Sequence, residues 1–316
     1  MRYPRLTAVR SLAQAGRPSG QPGPPLVAVA HGSADPRAAA TIAELMRLVR
    51  ETAAGAGLPG LDTRTAYLGH GPPSVAQVLS AVAGGEPPPR RAVVLPLLLT
   101  AAYHSETDLP ALVDDARRAL PGLGIGYGRP LGPHPLLFRA LDRRLAEAGV
   151  PAGSPGDVAV VLAAAGSRRP GANAAIARMA SRWQAASGWR RVIPAYAAAS
   201  CPAPGDAVTA LLRDGSPCVV VSTYLLAPGI FADQVAASAL GAGAAAVSGA
   251  LGAAPEVAEV ILRRYAEAVA SPGRMDAAWR GMPTLVEGAA DDPRWPACHA
   301  RGAESGTAAG RARRGR

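Results

Sequence analysis

The chain has 316 residues, 49% of them hydrophobic but only 4% aromatic, with a formal net charge of +10. That length suits one large domain or two of ordinary size, with a core built from Ala, Val and Leu. All 33 basic residues are arginine, which excludes a Walker A loop, since that loop needs Gly-Lys.

The charge surplus sits at the two ends. Arg2, Arg5, Arg10 and Arg17 lie in a Pro/Gly-rich head, and Arg301, Arg311, Arg313, Arg314 and Arg316 in a low-complexity tail. With no aromatic platform and no basic recognition helix, no nucleic-acid partner is expected. The head has no continuous apolar core of a signal peptide. No membrane span or membrane partner is expected. Cys201, Cys218 and Cys298 form no C-x-x-C pair, and their odd number suits a reducing compartment, so the expected location is the cytoplasm.

After a disordered head over residues 1–24, Leu26 to Ala30 is an unbroken apolar run, the mark of a strand buried on both faces. Ile42, Leu45, Met46 and Val49 follow at helical spacing. Strand-like "RTAYLG" from Arg64, a helix from about Ser74, strand-like "RAVVLPLLL" from Arg91 and a helix from about Pro110 come next. A short strand near "GIGYGRPLG" and a last helix from about Pro135 complete a (βα) unit repeated four times over residues 25–150. Such alternation predicts a parallel sheet covered on both faces. "VPAGSPGD", ending at Asp157, reads as a linker, assigned to 151–157.

Residues 158–271 repeat the unit. "VAVAHGSADPR" from Val27 matches "VLAAAGSRRPG" from Val161, and Ile42 and Leu45 fall over Ile176 and Met179. "AYLGHGPPSVAQVL" from Ala66 matches "AYAAASCPAPGDAV" from Ala195, and "AVVLPLLL" from Ala92 matches "VVVSTYLL" from Val219. "LGPHP" from Leu131 matches "LGAAP" from Leu251, and "RRLAEA" from Arg143 matches "RRYAEA" from Arg263. The ordered matches predict an α/β protein made of two duplicated flavodoxin-like (βα)4 lobes with parallel sheets, facing each other across a cleft. An extension and basic disordered tail fill residues 272–316. With the duplication internal, a monomer is expected.

Ligands of such sheets bind at the carboxyl ends of the strands. His31 directly follows the first strand, and His104, in "TAAYHSETD", follows the third. Two imidazoles on one rim suit metal handling or proton transfer near neutral pH. Glu106 reads as a free loop carboxylate able to steer a cation, and Asp108 as the N-cap of the helix that Pro110 opens. His70, in "YLGHGPPS", reaches the same rim or remains an ordinary loop residue. His134 reads as local capping or packing. Cys298-His299 has no partners at metal-site spacing. No G-x-S-x-G elbow supports hydrolase chemistry, and no G-x-G-x-x-G follows a strand to bind a dinucleotide.

"HGSADPRA", "AYHSETDLP" and "LGPHP", in that order, resemble the sirohydrochlorin chelatases of the class II chelatase superfamily, and "YLLAPGIFAD" from Tyr224 resembles the degenerate second half of its two-lobed members. The resemblance implies insertion of Co2+ or Fe2+ into sirohydrochlorin, in cobalamin or sirohaem synthesis. The divalent metal is then a substrate, and no organic cofactor is implied. His31 and His104 would bind the metal and accept pyrrole protons. A family glutamate is replaced by Gly69 here, leaving His70 or Glu106 as the third metal-side group. Sirohydrochlorin is ringed by carboxylates, so Arg37, Arg168 and Arg169, in the two strand-one exit loops, are candidate clamps, with Ser33 beside them. In the second lobe Ala165 stands for His31 and Phe231 for His104, which predicts an opposing apolar wall without a second metal site. A non-catalytic tetrapyrrole or metal carrier on the same fold is the alternative reading.

Overall fold

The computed structural model describes residues 23–69, 71–100, 108–150 and 156–270. The first half forms β1 (Leu26–Ala30), α1 (Pro36–Gly55), β2 (Thr63–Tyr67), α2 (Val75–Ala83), β3 (Arg91–Pro96), α3 (Leu109–Ala119), β4 (Gly124–Tyr127) and α4 (Pro135–Glu147). The second half repeats the series as β5 (Val158–Ala164), α5 (Pro170–Ser187), β6 (Arg191–Tyr196), α6 (Pro204–Arg213), β7 (Cys218–Tyr224), α7 (Ile230–Gly241), β8 (Ala246–Val247) and α8 (Pro255–Ala270). The sheets run β2-β1-β3-β4 and β6-β5-β7-β8, all parallel. Both orders are those of the doubly wound fold read from the repeats.

Local chemistry sets the helix starts. Asp35 caps α1 by accepting the Arg37 N–H at 2.9 Å, with Pro36 in the first turn. Ser74 and Gln77 form a reciprocal capping box on α2. His134 caps α4, its Nδ1 accepting the Leu136 N–H at 3.1 Å, which agrees with the capping role read from "LGPHP". Asp108 departs from its expected role. It precedes α3, but its backbone is already helical and its side chain makes no capping hydrogen bond. The extended φ/ψ that aims a capping oxygen at the first-turn donors is missing.

The layers differ from two self-contained units in one respect. Helices α2 and α3 cover the outer face of the first sheet, and α6 and α7 the outer face of the second. The inner faces share one core, in which α1, α4, α5 and α8 lie between the sheets. Within it the last helices are exchanged: α4 packs against β7, and α8 against β3, β4 and α1. The repeated "RR" accompanies the exchange with hydrogen bonds across the halves. Arg144 of α4 donates to the Leu251 carbonyl at 3.0 and 2.7 Å, in the loop after β8. Its counterpart Arg264 of α8 donates to the Pro130 carbonyl at 3.0 Å, in the loop after β4. Each half therefore satisfies carbonyls of the other, where buried acceptors would otherwise lack partners.

A half-buried carboxylate adds to this staple. Asp142 of α4 accepts both indole N–H groups of Trp183 and Trp189, at 3.1 and 3.3 Å, and the two rings meet edge to face. Burial pushes the Asp142 carboxyl above its usual range, against the pull of the two donors. Cys218 is a free thiol, and Cys298 lies outside the described residues. Among the described residues no helix is long and apolar enough to cross a membrane.

Candidate functional site

The segment carrying His31 is held rigidly for a loop. As β1 ends, the Ala30 carbonyl accepts from Leu68 N–H at 3.0 Å and the His31 carbonyl from Gly69 N–H at 3.1 Å. Gly32 then turns the chain at φ +89°, and a Cβ there would lie 1.9 Å from the Gly69 oxygen. Only glycine permits that approach. The second half repeats the device. Ala165 O accepts from Ala198 N–H at 3.0 Å, Gly166 has φ +85°, and its Cβ would lie 2.0 Å from the Ala198 oxygen. Duplication thus preserved the turn and changed the side chain it displays: exposed His31 in one copy, Ala165 in the other.

Downstream of His31, the Ser33 hydroxyl accepts the Asp35 N–H at 3.1 Å, and Arg37 reaches out of α1. Its guanidinium forks onto Asp35, with Nη2 to Oδ2 at 2.6 Å, and onto Asp233 in the first turn of α7, again at 2.6 Å. The hydrogen bonds from Arg37 hold the Asp35 carboxyl below the usual range, and Arg37 stays firmly protonated. Arg37 is therefore a bridge between the two halves, already engaged by two carboxylates. Asp233 was not singled out in the sequence, because its partner lies 196 positions away. Asp35, by contrast, is legible as a cap in "ADPR".

The facing wall is the start of α7. Gly229, just before it, has its Cβ position 4.0 Å from both Asp35 Oδ2 and Ser33 Oγ. Ile230 and Phe231 follow and are 70% and 48% exposed, unusual for large apolar side chains and next to the Arg37–Asp233 bridge. Deeper, the rims of the two sheets touch: the buried Tyr224 hydroxyl, at the end of β7, donates to the Leu99 carbonyl just past β3 at 2.9 Å. Gly132 is required there, since a Cβ would sit 2.1 Å from that carbonyl and 2.3 Å from the hydroxyl.

Arg168 is exposed in the exit loop of β5, and Arg169 is half-buried at the N-cap of α5, its N–H donating to the Ser167 hydroxyl at 3.1 Å. Among the described residues no group of three His, Cys, Asp or Glu side chains could hold a metal. His70, His104 and Glu106 lie outside the described residues. The structure therefore brings together His31, Ser33, Arg37 and the Ile230–Phe231 wall, with Arg168 and Arg169 on the matching loop of the other half.

Comparison with known proteins agrees with this architecture. The model of the CbiX family matches residues 25–148 and 159–268. A sirohydrochlorin cobaltochelatase of Priestia megaterium is 29% identical over 168 residues, covering 52% of this chain and 54% of that protein. A sirohydrochlorin ferrochelatase of Bacillus subtilis (strain 168) is 28% identical over 142 residues, covering 45% and 53%. The match thus spans about half the length of these curated relatives. Among solved structures, SirB from Bacillus subtilis with Fe3+ superposes with a TM-score of 0.66 at 24% identity, over 78% of this chain and 95% of that one. A multi-domain protein of Deinococcus radiodurans, described as similar to chelatases but with two additional novel domains, gives 0.58 at 26% identity, over 78% and 56%.

Proposed function

The chain belongs to the CbiX family, and from that premise we propose that it is a sirohydrochlorin chelatase, inserting Co2+ or Fe2+ into the macrocycle for cobalamin or sirohaem synthesis in the cytoplasm. The names of its relatives support this reading. The observation that carries it is the twin glycine turn: both copies keep the geometry, and only one presents an imidazole.

Metal insertion requires removing water from the ion and two N–H protons from the macrocycle. A neutral imidazole binds borderline divalent metals and accepts protons, so it serves both needs. His31 takes this role, held by the Gly32 turn, with His104 as its partner and His70 or Glu106 as the third metal-side group. Phe231 and Ile230 offer an apolar face to the flat ring. Arg168 and Arg169, together with Ser33, receive its carboxylates. Arg37 joins them by exchanging Asp233 for a substrate carboxylate, which leaves the macrocycle itself linking the two halves. One cleft holds one macrocycle, so a second histidine set is unnecessary.

The test is multiple-turnover insertion of Co2+ and Fe2+ into sirohydrochlorin by the purified chain, followed by absorbance. Replacing His31 or His104 with Ala should cost ~100-fold or more, the scale of losing a proton-transfer group. Stoichiometric binding without turnover would instead favour a carrier.

A further inference from the structure

A cavity of about 110 Å3 lies on the seam between α4 and α5, lined by Pro133, His134, Pro135, Phe138, Ala175, Arg178, Met179 and Arg182. None of these residues belongs to the loops around His31. From it we infer a binding site for a small carboxylate with a short apolar stem. The inference rests on this cavity and not on the chelatase reading.

The polar lining consists of donors. Arg178 and Arg182 stand one turn apart on the same face of α5, and neither has a hydrogen bond or ion pair among the described residues. His134 accepts the Leu136 N–H through Nδ1, so its proton sits on Nε2, leaving another donor. Burial and the neighbouring Arg264 and Arg263 keep that imidazole neutral. Two guanidiniums without a partner among the described residues and an imidazole N–H call for an oxyanion, and planar guanidinium forks suit carboxylate. The other walls, Pro133, Pro135, Phe138 and Met179, are apolar, which favours an organic acid over a fully hydrated inorganic anion. The volume admits only a few heavy atoms; sites for drug-sized ligands are ~300 Å3 or more.

The duplication supplies a control within the molecule. At the matching seam between α1 and α8, Glu44 and Leu48 stand where Arg178 and Arg182 stand, and Ala254 and Ala258 where His134 and Phe138 stand. There the helices pack closely, Ala254 and Ala258 are buried, and Glu44 is paired with Arg47. Helices α4 and α5 make no comparable packing. One copy is closed by alanines and carries an acid; the other holds a cavity and carries two cations that have no partner among the described residues. Ordinary drift of a packed seam explains a changed side chain more easily than a coordinated change of size and charge sign.

Butyrate is the probe, titrated against the full chain with sodium chloride at matched ionic strength. A ligand that binds only the folded state raises the melting temperature in a saturable way, and Trp183, adjacent to Arg182, provides a fluorescence signal. We expect saturable stabilisation by butyrate, stronger than by phosphate. The double substitution Arg178→Gln, Arg182→Gln should weaken apparent affinity at least tenfold without altering the ligand-free melt, since both side chains are exposed. His134→Asn, which retains a capping acceptor, should weaken it less. Competition between butyrate and sirohydrochlorin would assign the pocket to an arm of a larger ligand, and independence to a free acid; either result retains the site. No saturable effect, an equal effect of phosphate, or an unchanged response in the double variant would overturn it.

Discussion

Replacing Gly32 and, separately, Gly166 with alanine tests whether the twin turns share a fold role but divide the chemistry. Each residue has positive φ, and each new Cβ would fall 1.9 or 2.0 Å from a carbonyl oxygen. The left-handed backbone alone costs ~1 kcal/mol or more for an alanine. Moving the opposing carbonyl also disturbs the hydrogen bond beside it, His31 O to Gly69 N or Ala165 O to Ala198 N, for ~1 kcal/mol. With the local rearrangement, ~2–4 kcal/mol is expected for each variant, a loss of roughly 4–16 °C in melting temperature for a chain of this size. Calorimetry should find the two losses similar. Chelation kinetics, measured where both variants are folded, should separate them. Gly32→Ala displaces His31 and should lose tenfold or more, because misplacement by even 1 Å is costly; Gly166→Ala should retain most of its activity. Equal activity losses, or a Gly32→Ala protein as stable as the parent, would refute this reasoning.

Phe231→Ala should raise the Kd for the tetrapyrrole while leaving metal affinity nearly unchanged; loss of metal binding with the tetrapyrrole retained would reverse the assignment of the two walls. Insertion should slow on the acid side as the metal-binding imidazoles take up protons, and a rate flat from about pH 5 to 8 at constant substrate speciation would implicate carboxylates instead. His134 has its pKa depressed to about 4 by burial and neighbouring arginines. The unfolded chain therefore takes up a proton near pH 6.5 that the folded chain refuses, and stability falls as pH drops from there toward 4. His134→Asn should flatten that fall in urea-midpoint measurements, and an unchanged slope would contradict it. Asp142→Ala strands two buried indole donors, each worth ~1–3 kcal/mol, so the urea midpoint should drop; an unaffected midpoint would mean the indoles find other partners.

The two (βα)4 halves were legible because buried parallel strands read as continuous apolar runs, and Leu26–Ala30 is buried along its whole length. His31 was placed correctly at the strand exit for the same reason: a strand end followed by Gly-Ser leaves little freedom. The exchange of α4 and α8 was not legible. An amphipathic helix such as Leu137–Leu141–Leu145 records which face is buried, not which sheet buries it. The Arg37–Asp233 bridge was hidden likewise, since an arginine at a helix start looks the same whether it meets solvent, substrate or a distant carboxylate. Asp108 looked like a cap because Asp before Leu-Pro is a common capping pattern, yet the cap depends on a backbone angle that composition does not fix.

The exchanged helices also bear on the order in which the molecule is completed. When synthesis has passed residue 157, the first sheet has α1 on its inner face, but the helix that closes over β3 and β4 is α8, and its last residue is Ala270. The early half therefore waits, with apolar strand surface uncovered, until more than a hundred further residues have emerged. Contacts that distant in sequence form late and slowly. A chain stopped short of α8 lacks more than its own terminus: it leaves bare the half that carries His31, and the same incomplete surface is open to chaperones and to aggregation while the chain is being made.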